Sequence, residues 1–101
     1  MNLEVRMHNG NILVKELIDD IRVNGVMTSY DVDNPYMFCE VIKISNEAVE
    51  NLSCDINDIL VIKRHAKEEF LSGLYFIHWK DVRCALSKEE YNKMILEGVS
   101  F

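Results

Sequence analysis

The fold and function of this chain depend most on the stretch IDDIRVNGVMTSYDVDNP at residues 18–35, which separates two strand-like runs. Ile12–Lys15 precedes it and Phe38–Ile44 follows it. The stretch shows neither a helical nor a strand period, yet it carries the apolar residues Val26 and Met27 after Gly25. Small domains keep long irregular segments chiefly as lids or binding loops. The sequence therefore predicts a long mobile loop over residues 18–35 that a partner covers, with a short strand or a plug over a barrel end as the alternative for Val26 and Met27.

Length and composition indicate one globular domain. The chain has 101 residues, of which 49% are hydrophobic and 28% are charged. The formal net charge of -6 repels phosphate backbones and argues against nucleic acid as a partner. Neither an apolar run of about 18 residues nor a signal peptide is present, so we expect a cytoplasmic protein that contacts no membrane.

Most of the chain has strand patterns. Apolar runs that alternate or are rich in β-branched residues are bounded by turn signals such as Asn9-Gly10 and Lys80-Asp81. The strands are predicted at residues 3–7, 11–17, 38–44, 58–63, 74–79 and 82–86, with residues 65–73 as a charged loop or short helix. Many short strands around one long loop favour an all-β fold, either a small barrel or a sandwich. Strand 3–7 is predicted to pair across a subunit boundary.

Two short helices are expected. Residues 46–52 fit one or two helical turns, and Ser87-Lys88-Glu89-Glu90 has the pattern of a capping box. In that motif the Ser87 hydroxyl accepts from the Glu90 amide, and the Glu90 carboxylate reaches back to the amide of Ser87. Tyr91, Met94 and Ile95 then form an apolar stripe that ends near Gly98. Residues 1–86 thus form a barrel domain and residues 87–101 a helical extension.

The residues that usually carry chemistry do not form a recognisable site. Cys39, Cys54 and Cys84 form no CxxC pair, and Cys39 and Cys84 are interpreted as small buried residues within strands. His8, His65 and His78 have no metal-ligand spacing, and His78 is predicted to be a hydrogen-bonded residue of the sheet. Paired acids such as Glu68-Glu69 are typical of solvated surface. Tyr75 and Trp79 favour core packing over a ligand-stacking platform. The chain is therefore not expected to be an enzyme or to hold a metal or cofactor.

The order of these segments resembles the GroES-like co-chaperonins. The resemblance rests on the turn and strand at 7–15, the segment at 24–28, the strand at 40–44, and the segments Ile56–Ile62 and Lys80–Leu86. It covers residues 1 to 86 in order. Three departures are visible: Cys39 and Asn57 stand where the family has glycine, and Thr28 stands where it prefers an aliphatic residue. Asn57 still tolerates a positive φ.

The resemblance implies a fold and a function together. The fold is a small irregular GroES-like β-barrel, and the connector 45–57 is too short for the family's roof hairpin, as in phage-encoded members. The function is capping of a chaperonin by a homo-oligomer, expected to be a sevenfold ring, with Gly25, Val26, Met27 and Thr28 as the partner-binding residues. A second hypothesis from another class is a phage or virion assembly or adaptor protein that uses a similar barrel without contacting a chaperonin. That hypothesis predicts an ordered segment 18–35 in the free protein.

Overall fold

The fold consists mostly of antiparallel β-strands with two short helices. The computed structural model describes residues 6–18, 21–23, 26–28 and 35–100, and for 21–23 and 26–28 it describes the backbone alone. The strands are β1 (Asn11–Leu17), β2 (Ile21–Val23), β3 (Val26–Thr28), β4 (Tyr36–Ile44), β5 (Ile59–Lys63), β6 (Glu68–Leu71), β7 (Leu74–His78) and β8 (Val82–Leu86). The helices are α1 (Asn46–Leu52) and α2 (Lys88–Glu97), and 3-10 turns lie at Arg64–Ala66 and Trp79–Asp81.

Six of the strands form one sheet in the order β6-β7-β1-β4-β5-β8, and every pairing in it is antiparallel. Strands β2 and β3 form a separate two-stranded sheet. Within the described part of the chain no ladder joins the edge strands β6 and β8, so the sheet is open and the expectation of a closed barrel was wrong. Closure requires the first and last strands to meet. The periodicity of each strand does not specify that pairing.

One face of the sheet carries the main core. Its buried members come from four central strands and from the connector that contains α1. They are Ile12, Val14, Met37, Cys39, Val41, Ala48, Cys54, Leu60, Ile62 and Ile77. Helix α1 contributes Ala48, and its N-terminal residue Ser45 accepts a hydrogen bond from the Ala48 amide at 3.3 Å. Residues 45–57 therefore cover a sheet face with a helix.

The opposite face carries a smaller cluster under α2, here called the helix core. Ile59 and Tyr91 are its buried members, and the rings of Phe38 and Tyr91 lie 5.4 Å apart. Successive residues of a strand point to opposite faces of the sheet. In β4, Cys39 and Val41 therefore pack in the main core, and Phe38 packs in the helix core. The alternation within residues 38–44 alone left that choice open.

The predicted C-terminal helix is confirmed in position and in most details of its cap. Ser87 Oγ accepts from the Glu90 amide at 3.1 Å, and Gly98 ends the helix with φ 89. The Glu90 carboxylate accepts from the Ser87 hydroxyl at 3.2 Å. This contact differs from the bond to the Ser87 amide that the capping-box pattern predicts. The Ser87 hydroxyl and the Glu90 carboxylate are therefore still hydrogen-bonded, in this case to each other.

Two turns have the backbone conformation that their residues favour. Asn9 and Gly10, in the predicted turn, adopt φ 56 and φ 76 at the start of β1. Asn57 adopts φ 75, and its amide donates to Val41 O at 2.9 Å. Asparagine is among the few residues that enter this region readily, so the side chain is compatible with the turn before β5.

Other predictions have mixed outcomes. Residues 65–73 contain strand β6, which the sequence did not predict, preceded by the end of the first 3-10 turn. Of the predicted strand at 3–7, residues 3–5 lie outside the described residues, and Arg6 and Met7 are not in a strand.

Among the described residues, neither helix has the length and apolar content needed to cross a bilayer.

Candidate protein-interaction site

The segment that contains the predicted partner-binding residues forms a β-hairpin. Strands β2 and β3 pair antiparallel, with Ile21 opposite Thr28, Arg22 opposite Met27 and Val23 opposite Val26. The prediction that residues 18–35 lack regular structure was therefore wrong for these six residues. The alternative of a short strand at Val26 and Met27 is confirmed. Gly25 lies outside the described residues.

This hairpin stands apart from the six-stranded sheet and adjoins the C-terminal helix. No ladder connects β2 or β3 to the larger sheet among the described residues, whereas the backbone of α2 lies beside that of β2. The same helix packs on the sheet through Tyr91. The 87–101 extension, whose packing the sequence left unspecified, therefore connects the helix core with the hairpin.

The two ends of the segment leave and re-enter the sheet next to each other. Leu17 at the end of β1 is paired with Phe38 near the start of β4. Arg64, in the first 3-10 turn, contacts both ends. Its amide donates to Pro35 O at 2.8 Å, its Nη2 donates to Tyr36 O at 2.9 Å, and its Nη1 donates to Glu16 Oε2 at 3.3 Å.

A second cation completes this group. Lys67 Nζ lies 3.3 Å from Glu16 Oε1 and 4.6 Å from the centre of the Tyr75 ring. We call Glu16, Arg64 and Lys67 the root cluster, because they lie where the 18–35 segment joins the sheet. Tyr75 also packs against the main core, so its ring serves as both a core contact and a surface for the lysine.

Cys39 lies close to this group and is chemically inert in the folded protein. Burial, followed by the negative charge of Glu16, raises the pKa of Cys39 from 9.0 to about 12. Burial also raises the pKa of Cys54, with Asp58 as the second cause. A thiol that keeps its proton is a poor nucleophile and metal ligand. Cys39 is buried as expected, whereas Cys84, also expected to be buried, is exposed on the edge strand β8.

The residues around Gly10, at the end of β1 away from the root cluster, are closely packed. Gly10 is so closely surrounded that a Cβ there would lie 2.7 Å from Trp79 Cδ1 and 2.8 Å from His78 Nε2, with Glu47 Oε2 closer still. His78 Nδ1 accepts from the Lys80 amide at 3.2 Å, and Trp79 packs against the main core. His78 is thus hydrogen-bonded, as predicted. The packing of Tyr75 and Trp79 agrees with a core role.

The described residues do not group side chains that could hold a metal ion. Within residues 6–18 and 35–100, no three His, Cys, Asp or Glu side chains are placed together in this way. The groups that the fold does bring together are a hairpin, an adjoining helix and a set of charges at the hairpin's base.

Sequence reasoning proposed residues 25–28 as a partner-binding segment, which stays a prediction, and it missed the contacts at the base of that segment. Glu16 is separated from Arg64 by 48 positions and from Lys67 by 51, so no local pattern could reveal the root cluster. No protein-family model, no curated protein and no solved structure matches this chain.

Proposed function

We propose that this chain is a GroES-like co-chaperonin subunit that binds a chaperonin through its β2–β3 hairpin. The observation that carries the proposal is the position of Val26, Met27 and Thr28. They form strand β3 of the two-stranded sheet, which has no ladder to the six-stranded sheet among the described residues. In the chain, this two-stranded sheet lies between β1 and β4, which are neighbours in the six-stranded sheet. A strand outside the ladder of the six-stranded sheet can engage a partner without breaking the hydrogen bonds of that ladder.

The arrangement of the remaining elements supports the same proposal. The segments on which the resemblance rests coincide with strands β1, β4, β5 and β8, in the same order along the chain. Asn57 supports the backbone conformation for which the family uses glycine. These agreements concern the scaffold, and the binding role of Gly25, Val26, Met27 and Thr28 follows from the resemblance.

Assembly into a ring is part of the proposal. Within the described residues, β6 and β8 each pair on one side only, and all four residues of β6 and the middle three of β8 are exposed. Such edges can pair with other chains. A ring presents several hairpins at once, and this multivalency compensates for weak binding at each site. We expect a mass near seven times 11.8 kDa by light scattering, and a concentration-independent monomer would contradict the ring.

The binding test replaces the two apolar residues of the hairpin. In Val26→Ser/Met27→Ser, we expect affinity for a purified, nucleotide-bound chaperonin to fall at least about tenfold, since each lost aliphatic side chain removes roughly 1.5–3 kcal/mol of burial in the complex. Urea titration of the same variant measures its unfolding free energy, so that a loss of affinity is attributed to the hairpin only if the variant remains folded under the binding conditions.

A matched control uses the same chemistry elsewhere. Val49 and Ile56 are both exposed and lie in or near α1, away from the hairpin segment. Val49→Ser/Ile56→Ser should leave chaperonin affinity unchanged. Equal affinities of the wild type and the hairpin double variant would refute the chaperonin assignment.

A second candidate function has one observation in its favour. An assembly or adaptor protein that never contacts a chaperonin predicts an ordered segment 18–35, and part of that segment is paired into strands. Limited trypsin digestion distinguishes the two hypotheses. Rapid cleavage after Arg22 favours a mobile segment and the co-chaperonin, whereas resistance equal to that of the sheet favours the adaptor.

A further inference from the structure

We propose that Arg64, together with Glu16 and Lys67, is a positioning unit that holds the β2–β3 hairpin in its binding orientation. The effect on partner binding rests on the proposed function, but the effect on the hairpin itself does not. Among the described residues, the contacts of Arg64 and Lys67 with Glu16, and of Arg64 with Pro35 and Tyr36, lie where the segment leaves and re-enters the sheet. They act by fixing where and in which direction the segment leaves the sheet.

The geometry of Arg64 is suited to this task. It bridges the last part of β1, through Glu16, and the residues at which the chain re-enters the sheet, Pro35 and Tyr36. A guanidinium offers several donors in a rigid plane, so one side chain can hold a carboxylate and a backbone carbonyl in fixed relation. A lysine ammonium has no such fork, and it cannot reproduce the bridge.

The burial of these charges makes the contacts effective. The side chains of Glu16, Arg64 and Lys67 are 12%, 18% and 20% exposed. Charge-assisted hydrogen bonds are stronger than neutral ones, and solvent screens partly buried pairs less than exposed pairs. By contrast, the pair Lys93–Glu89 on α2 is 62% and 81% exposed and is of the kind that contributes little.

The hairpin needs such support. It has three residue pairs in its ladder, and an isolated two-stranded hairpin is marginally stable at best in water. Its order therefore depends on attachments at its base and along α2. A segment that is already ordered loses less conformational entropy when it binds, so the root cluster raises affinity without contacting the partner.

Native-state hydrogen exchange tests this inference without a partner. In Arg64→Ala, we expect amides of Ile21–Val23 and Val26–Thr28 that exchange by local opening to exchange about tenfold faster, the effect of losing one or two hydrogen bonds to a charged group. Amides of β4 and β5 that exchange only by global unfolding should not show this additional local acceleration. Lys93→Ala, which removes the exposed pair on α2, should change neither set.

Two results would overturn the inference. One is unchanged exchange of the hairpin amides in Arg64→Ala; the other is an equal acceleration across hairpin and sheet, which would indicate general destabilisation. Arg64→Lys separates geometry from charge. It should accelerate the hairpin nearly as much as Arg64→Ala, and full restoration of slow exchange by lysine would contradict the bridging role.

The same variants separate this inference from the proposed function. If the chaperonin is the partner, Arg64→Ala should also lower affinity, by up to about tenfold if the free hairpin is mostly open, because affinity falls in proportion to the competent fraction. If Val26→Ser/Met27→Ser leaves chaperonin binding unchanged, the proposed function fails. The exchange result for Arg64→Ala would still decide whether the root cluster positions the hairpin.

Discussion

The six-stranded sheet and the β2–β3 hairpin are both antiparallel, but they are stabilised in different ways. The four central strands of the sheet each have neighbours on both sides, and the sheet packs against a core on each face. The hairpin has one ladder of three pairs, the adjacent helix α2 and the root cluster. We therefore expect stability to belong mainly to the sheet and the hairpin to open locally without unfolding the protein. Such independence is what the proposed partner-binding role requires.

The largest expected effect comes from the residue that joins the two regions. Tyr91 is 4% exposed, packs in the helix core beside Phe38, and belongs to the helix that lies along β2. Tyr91→Ala should lower the unfolding free energy by about 3 kcal/mol, as aromatic truncations in a core do. Urea titration measures this loss, and hydrogen exchange should show the β2 amides accelerated as well.

Leu96 provides the control on the same helix. It is 76% exposed, so Leu96→Ala should change stability by less than about 0.5 kcal/mol. Similar losses for the two variants would mean that α2 is not attached through Tyr91, and the link between sheet and hairpin would be lost.

An intermediate effect is expected at the end of the sheet far from the root cluster. Gly10→Ala places a Cβ against Trp79 and His78 at φ 76, and overpacking of this kind together with left-handed strain costs about 2–4 kcal/mol. Gly73 has φ 79 but open space around it, so Gly73→Ala should cost only about 1 kcal/mol.

Thermal unfolding of the two glycine variants measures the difference. Because both share the positive φ, any excess at Gly10 reports the close packing alone. Both variants should leave hairpin exchange by local opening unchanged. Equal stability losses would contradict the packing described at the start of β1.

The last effect appears only at alkaline pH and concerns the buried thiol at the boundary of the root cluster. Between pH 9.0 and about 12 the unfolded chain loses the Cys39 proton while the folded chain retains it. The stabilising contribution is complete below pH 9.0 and is lost as the pH rises towards 12, at up to about 1.4 kcal/mol per pH unit.

Stability measured against pH in reducing buffer tests this contribution. Cys39→Ala should show a shallower decline than the wild type over that range, and the exposed-thiol variant Cys84→Ala should decline as the wild type does. Parallel curves for the wild type and Cys39→Ala would mean that Cys39 is not held protonated by burial.

Local sequence patterns predicted the elements whose signals are local. Strands β1, β4, β5, β7 and β8, the capped helix α2 and the positive φ at Asn57 all follow from periodicity, capping chemistry or turn preference. Strand β6 was missed because all four of its residues are exposed. A strand without a buried face has no alternation to detect.

The remaining differences have two causes. The hairpin ladder is local in sequence but joins residues that lack a clear strand pattern. The open edges of the sheet depend on which strands pair, and that is decided between segments distant in the chain. The root cluster joins β1 to a turn after β5, across 48 residues. Its residue types were visible in the sequence, but their proximity is a property of the folded sheet.

The most direct test of the account is hydrogen exchange of the native protein with and without a nucleotide-bound chaperonin. We expect the amides of Ile21–Val23 and Val26–Thr28 to exchange faster than those of β1, β4 and β5 in the free protein, and to become protected when the chaperonin is added. Hairpin exchange as slow as that of the sheet, or hairpin amides left unprotected by saturating chaperonin, would contradict it.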